Sequence, residues 1–175
     1  LINEEDNKFS KQLDIKNYIH IHLDEKWFSK FYIKSYIDIN PTYDQFVNFI
    51  NFLSKKNNIL ITTGLSELEI IKKLKYSFFK KVNEKIYLKR NSSSSIYLVD
   101  KPSFKDLESL LRNSIILISC HGAITHAANS LNVKILDIIE KNKKEWYQRY
   151  KNYLKNCKTI YRNNFSDIEN ILINE

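Results

Sequence analysis

The chain has 175 residues, 43% hydrophobic and 27% charged, with a formal net charge of +8. That length fits one domain, and that balance excludes an intrinsically disordered chain. No apolar run approaches the ~18 residues of a membrane span, and LINEEDNKFSKQ has no signal-peptide pattern. Two cysteines, Cys120 and Cys157, make neither a disulfide framework nor a metal-ligand spacing, so a reducing, cytoplasmic location is the default. Methionine is absent throughout, which reads as a trimmed product or a piece of a longer protein. The basic charge is spread as Lys among abundant Asn and Ile, without Arg-rich clusters. It argues for no nucleic-acid partner, and suits a nucleoside diphosphate, a phosphorylated glycan or an anionic membrane face equally well.

In chain order, residues 1 to 16 are polar and read as a linker or leader before a domain over 17 to 175. Asn17 to Leu23, NYIHIHL, alternates and is rich in β-formers, so it is the first strand. It puts His20 and His22 on one face, where packed strand histidines are favoured over a metal pair. Asp24, Glu25, Lys26, Trp27 and Phe28 follow. Phe31 to Pro41 shows no clear period. Thr42 to Lys55 is an amphipathic helix with Thr42 as N-cap and Phe46, Phe49, Ile50 and Leu53 on its inner face. Ile59 to Thr63 is the second strand, closed by Gly64. Ser66 precedes a helix over Glu67 to Tyr76 with Leu68, Ile71 and Leu74 inward, and the basic run Lys72 to Lys81 reads as a solvated helix face.

Lys85 to Leu88 and Ile96 to Val99 are short strands around the polar turn NSSSS. Ser103 caps a helix reaching Asn113, with Asp106 completing a capping box and Phe104, Leu107, Leu110 and Leu111 as its apolar stripe. Ile115 to Ser119 is a buried strand leading into Cys120, His121 and Gly122. A small-residue helix spans Thr125 to Leu131, Asn132 is its C′ residue, and Val133 to Ile139 is another buried strand. Lys144 to Lys155 is an aromatic-rich helix, Thr159 to Tyr161 a short strand, and Ser166 to Ile173 a capped terminal helix.

This alternation predicts an α/β, Rossmann-like, doubly wound fold: a mostly parallel sheet with helices on both faces. Ligands of such sheets bind outside the carboxyl ends of the strands. Three polar groups fall there: Asp24–Glu25–Lys26, Gly64 with Glu67 and Glu69, and Cys120–His121–Gly122 with His126. The chain has only two glycines, Gly64 and Gly122. So sparing a use predicts places where a side chain would clash or where φ is positive. Lys26 suits a phosphate as a point cation, and Gly122 lets the amides of Gly122, Ala123 and Ile124 approach one at a helix N-terminus. His126 faces the same place from the helix's first turn, and Glu67 suits the hydroxyl donors of a ribose. A Cys120–His121 hydrolase and a zinc site from Cys120, His121 and His126 are alternatives with poorer spacing.

The order of these motifs resembles the nucleotide-sugar-binding C-terminal lobe of two-lobed (GT-B) glycosyltransferases, in particular the lipopolysaccharide heptosyltransferase family (glycosyltransferase family nine). LDEKWF matches that family's Lys–Trp loop after the first strand, and ITTGLSELE its strand–Gly–acidic segment. YLVDKPSFKDLESLL matches its strand–Pro–helix segment. In SCHGAITHAANSLNV, Gly122, His126, Ala127, Ala128 and Leu131 match the signature. Cys120 and His121 replace the family's Asp and Ser/Thr, and one extra residue separates Gly122 from His126.

The resemblance implies an inverting transfer that uses no metal or other cofactor. Lys26, His121, Gly122, Ala123 and His126 would hold the donor diphosphate, and Glu67 or Glu69 the nucleoside. The implied partners are a nucleoside-diphosphate sugar, a glycan or lipid-linked acceptor, and an N-terminal lobe carrying the general base. The implied location is cytoplasmic, with a peripheral contact at the inner membrane face left open. A non-catalytic interaction domain of the same fold is the alternative motivated by Cys120 and His121.

Overall fold

The structure, a computed structural model, describes residues 12–28 and 33–174. Its strands are β1 (Tyr18–Leu23), β2 (Asn58–Thr63), β3 (Lys80–Lys81), β4 (Ile86–Arg90), β5 (Ser95–Val99), β6 (Ser114–Cys120), β7 (Lys134–Ile139) and β8 (Cys157–Tyr161). Its α-helices are α1 (Tyr43–Ser54), α2 (Glu69–Ser77), α3 (Phe104–Leu111), α4 (Ala123–Ser130), α5 (Lys144–Lys151) and α6 (Phe165–Ile173). The eight strands form one sheet in the order β3-β4-β5-β2-β1-β6-β7-β8. All neighbours from β5 to β8 pair parallel, and β3 and β4 add an antiparallel edge. This is the α/β, Rossmann-like, doubly wound architecture the alternation predicts. Chain order runs outward from β1 through β2 to β5, then resumes at β6 on β1's other side and runs to β8. The direction therefore reverses between β1 and β6, which is where a crevice opens in such sheets.

Both faces of the central strands are covered, which accounts for their near-continuous apolar sequences. On one face Ile19, Ile21, Ile61 and Ile118 pack under α1, α2 and α6, and Phe46, Phe49 and Phe165 meet there with ring centroids 5.7 to 6.4 Å apart. The other face holds two smaller clusters. Leu60 belongs to one, with Leu13, Ile15, Tyr18 and Leu110; Leu117 belongs to the second, with Leu111, Ile124 and Ala128. His20 of β1 stands in register between Leu60 and Leu117, so a polar column separates the two clusters.

Local sequence signals explain most helix ends. Thr42 and Ser103 form the capping boxes of α1 and α3, each reciprocated by the third helical residue, Gln45 and Asp106. Asn132 has φ 59°, and Asn132 N–H bonds Asn129 O while Val133 N–H bonds Ala128 O, the Schellman closure of α4.

Several expectations need correction. α2 begins at Glu69, with Leu68 turned into the core at the cap position. α4 begins at Ala123, and α6 at Phe165 under an Asn164 cap. α5 ends at Lys151, not Lys155. Phe104 is 51% exposed, because the second residue of the capping box turns outward and Leu107, Leu110 and Leu111 suffice to bury α3. Part of the basic run forms the edge strand β3. Leu13 and Ile15 are buried, so packing begins before position 17. Residues 1–11 of the expected leader, and Phe31 and Tyr32 in the aperiodic segment, lie outside the described residues.

Candidate functional site

Beyond β1 the chain makes a single 3-10 turn, Glu25–Trp27, capped by Asp24, whose Oδ1 accepts from the Lys26 amide at 3.1 Å. Trp27 is fully buried and donates its indole N–H to His22 O at 2.8 Å, anchoring the turn. Lys26 is thereby directed towards the crevice, with Nζ 3.3 Å from Asp24 Oδ2. Burial raises the Asp24 pKa, and the Lys26 ammonium pulls it back.

Across the switch point, β6 runs into Gly122 at the N-cap of α4. The turn is tied to β7 through one carboxylate. Asp137 Oδ2 lies 2.6 Å from His121 Nδ1, and Thr125 donates its hydroxyl to Asp137 Oδ1 at 3.3 Å while accepting from the Gly122 amide at 3.2 Å. The Thr125 hydroxyl thus occupies the N-cap amide, leaving the amides that follow it at the helix start for other acceptors. Both glycines exist for space, since neither has positive φ. A Cβ on Gly122 would run into Lys26 Nζ, and one on Gly64 would stand 2.8 Å from Asp24 Cβ. The whole glycine content of the chain therefore accommodates the turn that carries Lys26.

A cavity of about 570 Å³ opens at this point. Lys26, His121, Gly122, Ala123 and His126 line it. Tyr36, Glu140, Trp146, Tyr147 and Arg162 join the lining, with the His121 and Tyr147 ring centroids 4.9 Å apart. The size is that of a small-molecule site. Glu67 and Glu69 do not line it. Glu67 stands on the exposed lead-in to α2 and Glu69 is its exposed first residue, and both pair with Lys72, at 3.8 and 2.8 Å. The carboxylate that reaches the cavity is Glu140, at the end of β7. Its Oε2 accepts from the Ile37 amide at 2.9 Å, and Arg162 donates Nε–H to Ile37 O at 2.8 Å. This buried pair clamps the backbone beside Tyr36 to the cavity edge.

The thiol alternative fails on geometry. Cys120 is the last residue of β6, points into the core and is 1% exposed. Burial pushes its thiol far above the usual range, and its polar neighbour is Arg162, with Nη1 3.4 Å from Sγ. His121 turns the other way, towards Asp137, so a zinc cage with Cys120 does not form either. Among the described residues no group of three or more His, Cys, Asp or Glu could hold a metal. His20 and His22 share a face as expected and both contact the Thr62 hydroxyl, at 2.8 and 2.9 Å.

Asp137, Glu140, Arg162, Trp146 and Tyr147 were not singled out from the sequence. A signal existed for the first: KILDII is a buried strand with one carboxylate in it, and a buried carboxylate implies a partner. Glu140 and Arg162 carried no such signal, because each stands in polar sequence just past a short strand.

No protein-family model and no curated protein sequence matches this chain. Solved structures do. The E. coli heptosyltransferase WaaC with ADP-2-deoxy-2-fluoro heptose superimposes with TM-score 0.52 and 11% identity, over 97% of this chain and 47% of that one. EarP, which mediates arginine glycosylation of translation elongation factor EF-P, gives TM-score 0.50 and 10% identity, over 85% and 45%. The NMR structure of ALG13 gives 0.53 and 9%, over 91% and 86%. The chain has the Rossmann-like fold of one lobe of a GT-B glycosyltransferase. It spans about half the length of the first two. Among the described residues no helix is long and apolar enough to cross a membrane.

Proposed function

We propose that this chain is the donor-binding lobe of a glycosyltransferase of the heptosyltransferase type, taking a nucleoside-diphosphate sugar in the β1/β6 crevice. The observation that carries this reading is the placement of Lys26 directly beside the α4 N-terminus at one cavity, at the topological switch point. A diphosphate there meets a cation, the helix amides after Gly122 and the His126 ring, while the rings of Tyr36, Trp146 and Tyr147 in the same lining suit a sugar or base. In transfer, charge grows on the departing diphosphate. Preorganised amides, the positive end of α4 and Lys26 stabilise that charge, the role a metal ion fills elsewhere. Transfer would be inverting, with the general base on a second lobe and a glycan or lipid-linked acceptor reached at the inner membrane face.

Calorimetric titration of the chain with ADP, UDP and GDP tests the reading. Weak binding of one of the three is expected, abolished by Lys26→Ala. Absence of binding to all three by chain that retains its folded circular-dichroism signal would refute it.

A further inference from the structure

The face of β1 away from the aromatic core carries a polar line that the proposed chemistry leaves unused. Ser114 Oγ lies 3.3 Å from His20 Nδ1, His20 Nε2 lies 2.8 Å from Thr62 Oγ1, and the same hydroxyl lies 2.9 Å from His22 Nδ1. His22 Nε2 then faces Asp24 Oδ2 at 3.6 Å, and that oxygen is 3.3 Å from Lys26 Nζ. Side chains of three adjacent strands, β2, β1 and β6, thus connect the amino-terminal edge of the sheet to the cation at the cavity. Four of them, His20, His22, Thr62 and Asp24, are buried. Polar groups cost free energy to bury even when partnered, and apolar residues of similar volume would join the two flanking clusters at least as well. Packing alone does not account for the line.

Its direction follows from the chemistry of each member. The Asp24 carboxylate is the accepting end, since it takes the Lys26 amide and faces the Lys26 ammonium. At 3.6 Å an imidazole is attracted to it only with an N–H turned towards it, which puts the His22 proton on Nε2. His22 Nδ1 must then accept, and the Thr62 hydroxyl is its donor. With that proton committed, Thr62 Oγ1 accepts from His20 Nε2–H, and His20 Nδ1 accepts from the Ser114 hydroxyl. The Ser114 hydroxyl also reaches Leu110 O at 3.3 Å, a carbonyl that accepts the Tyr18 phenol at 2.6 Å as well; the His20 tautomer is set by Thr62 whichever of the two Ser114 donates to. Burial keeps both rings neutral, holding His20 at about 3 and His22 at about 4, with Lys26 a smaller contributor at His22.

We infer that His20, Thr62 and His22 are positioning residues: a one-directional line that orients the Asp24 carboxylate and through it sets Lys26 in place at the cavity. The functional consequence rests on the diphosphate role proposed for Lys26; the line itself is testable apart from it. In the 15N-labelled chain at neutral pH, long-range proton–nitrogen correlation should find both histidines protonated on Nε2. A His22 protonated on Nδ1 would overturn the inference. Thr62→Val removes the central hydroxyl and Thr62→Ser retains it. Acetylation of Lys26 by acetic anhydride, followed by mass spectrometry, should accelerate several-fold in the first variant and not in the second. Affinity for whichever of ADP, UDP and GDP binds best should fall about tenfold in Thr62→Val alone. Unchanged Lys26 reactivity in folded Thr62→Val would sink the idea. Should that variant fail to fold, the wild-type tautomers and the Thr62→Ser rates decide. If no nucleotide binds the wild-type chain, the nucleotide reading falls, while tautomers and Lys26 reactivity still judge the line.

Discussion

Alanine at each of the two glycines would separate the fixed side of the Lys26 turn from its adjustable side. Neither glycine has positive φ, so the alanine backbone is tolerated at both positions and contact decides the outcome. At Gly64 the new Cβ stands 2.8 Å from Asp24 Cβ and 2.8 Å from Glu25 Oε2, with Asp24 Cα at 3.4 Å. Asp24 is 3% exposed and held by its cap and its neighbours, so it has little room to retreat. Overpacking of this kind costs about 1–3 kcal/mol. With a urea m-value of about 2 kcal/mol/M, the midpoint should fall by about 0.5–1.5 M. At Gly122 the new Cβ meets the far end of a flexible lysine, and its next neighbours are at 3.6 and 3.9 Å. Stability there should change by less than about 0.5 kcal/mol. Nucleotide affinity should fall about tenfold, because the ammonium is displaced and the approach to the α4 amides is filled. Urea unfolding and calorimetry on the same two variants distinguish these outcomes. A Gly64→Ala midpoint equal to wild type would refute the claim that Asp24 is fixed. Wild-type affinity in Gly122→Ala would refute the claim that the space beside Lys26 is used.

Acid should destabilise the chain through the buried histidines. Their folded pKa values, about 3 and about 4, lie below the usual 6.5, so the unfolded chain binds more protons and stability falls as pH drops below about 6.5. Each ring contributes up to about 1.4 kcal/mol per pH unit, opposed at the lower end by Asp24, whose raised pKa works with the other sign. A melting temperature constant from pH 7 to 5 would contradict this. Asp137→Asn removes the 2.6 Å contact to His121 and weakens the tie to Thr125, which should cost about 1–3 kcal/mol in urea unfolding and loosen nucleotide binding. Cys120 should resist a thiol reagent until the chain unfolds, whereas the half-buried Cys157 should react in the native state; rapid modification of both would place Cys120 wrongly.

Much of the fold was legible because its signals are local and repeated: caps at Thr42 and Ser103, the Asn132 C′ position, and apolar runs for the central strands. The ends that shifted lack such a signal. α2 starts without a side-chain cap, so the Ser66 of the sequence pointed two residues early. The part of the cavity around Lys26 and Gly122 was legible for a topological reason: these residues follow β1 and β6, and those two strands flank the switch point. The nucleoside assignment went to Glu67 and Glu69 by the same logic, but β2 is one strand removed from the switch and their lead-in turns outward to Lys72. The rest of the lining was hidden because Glu140, Arg162, Trp146 and Tyr147 come from the ends of β7 and β8 and from α5, whose contribution at this cavity depends on tertiary placement and leaves no periodic trace.

The charge of the chain and the charge of the cavity are different matters. Of the +8 carried by the sequence, the cavity walls hold Lys26, Lys143 and Arg162. Glu140 sits against Arg162 and Asp24 against Lys26, so three cations meet two carboxylates and the local excess is about one. Recognition of a diphosphate here would depend on direction more than on field: helix amides aimed by the His121–Asp137–Thr125 tie, and one lysine set by the turn behind it. Such a site should bind with a shallow salt dependence, because few counterions are displaced. Among the described residues, Lys72, Lys73, Lys80 and Lys81 lie on outer faces away from this cavity, where they steer solubility or surface contacts.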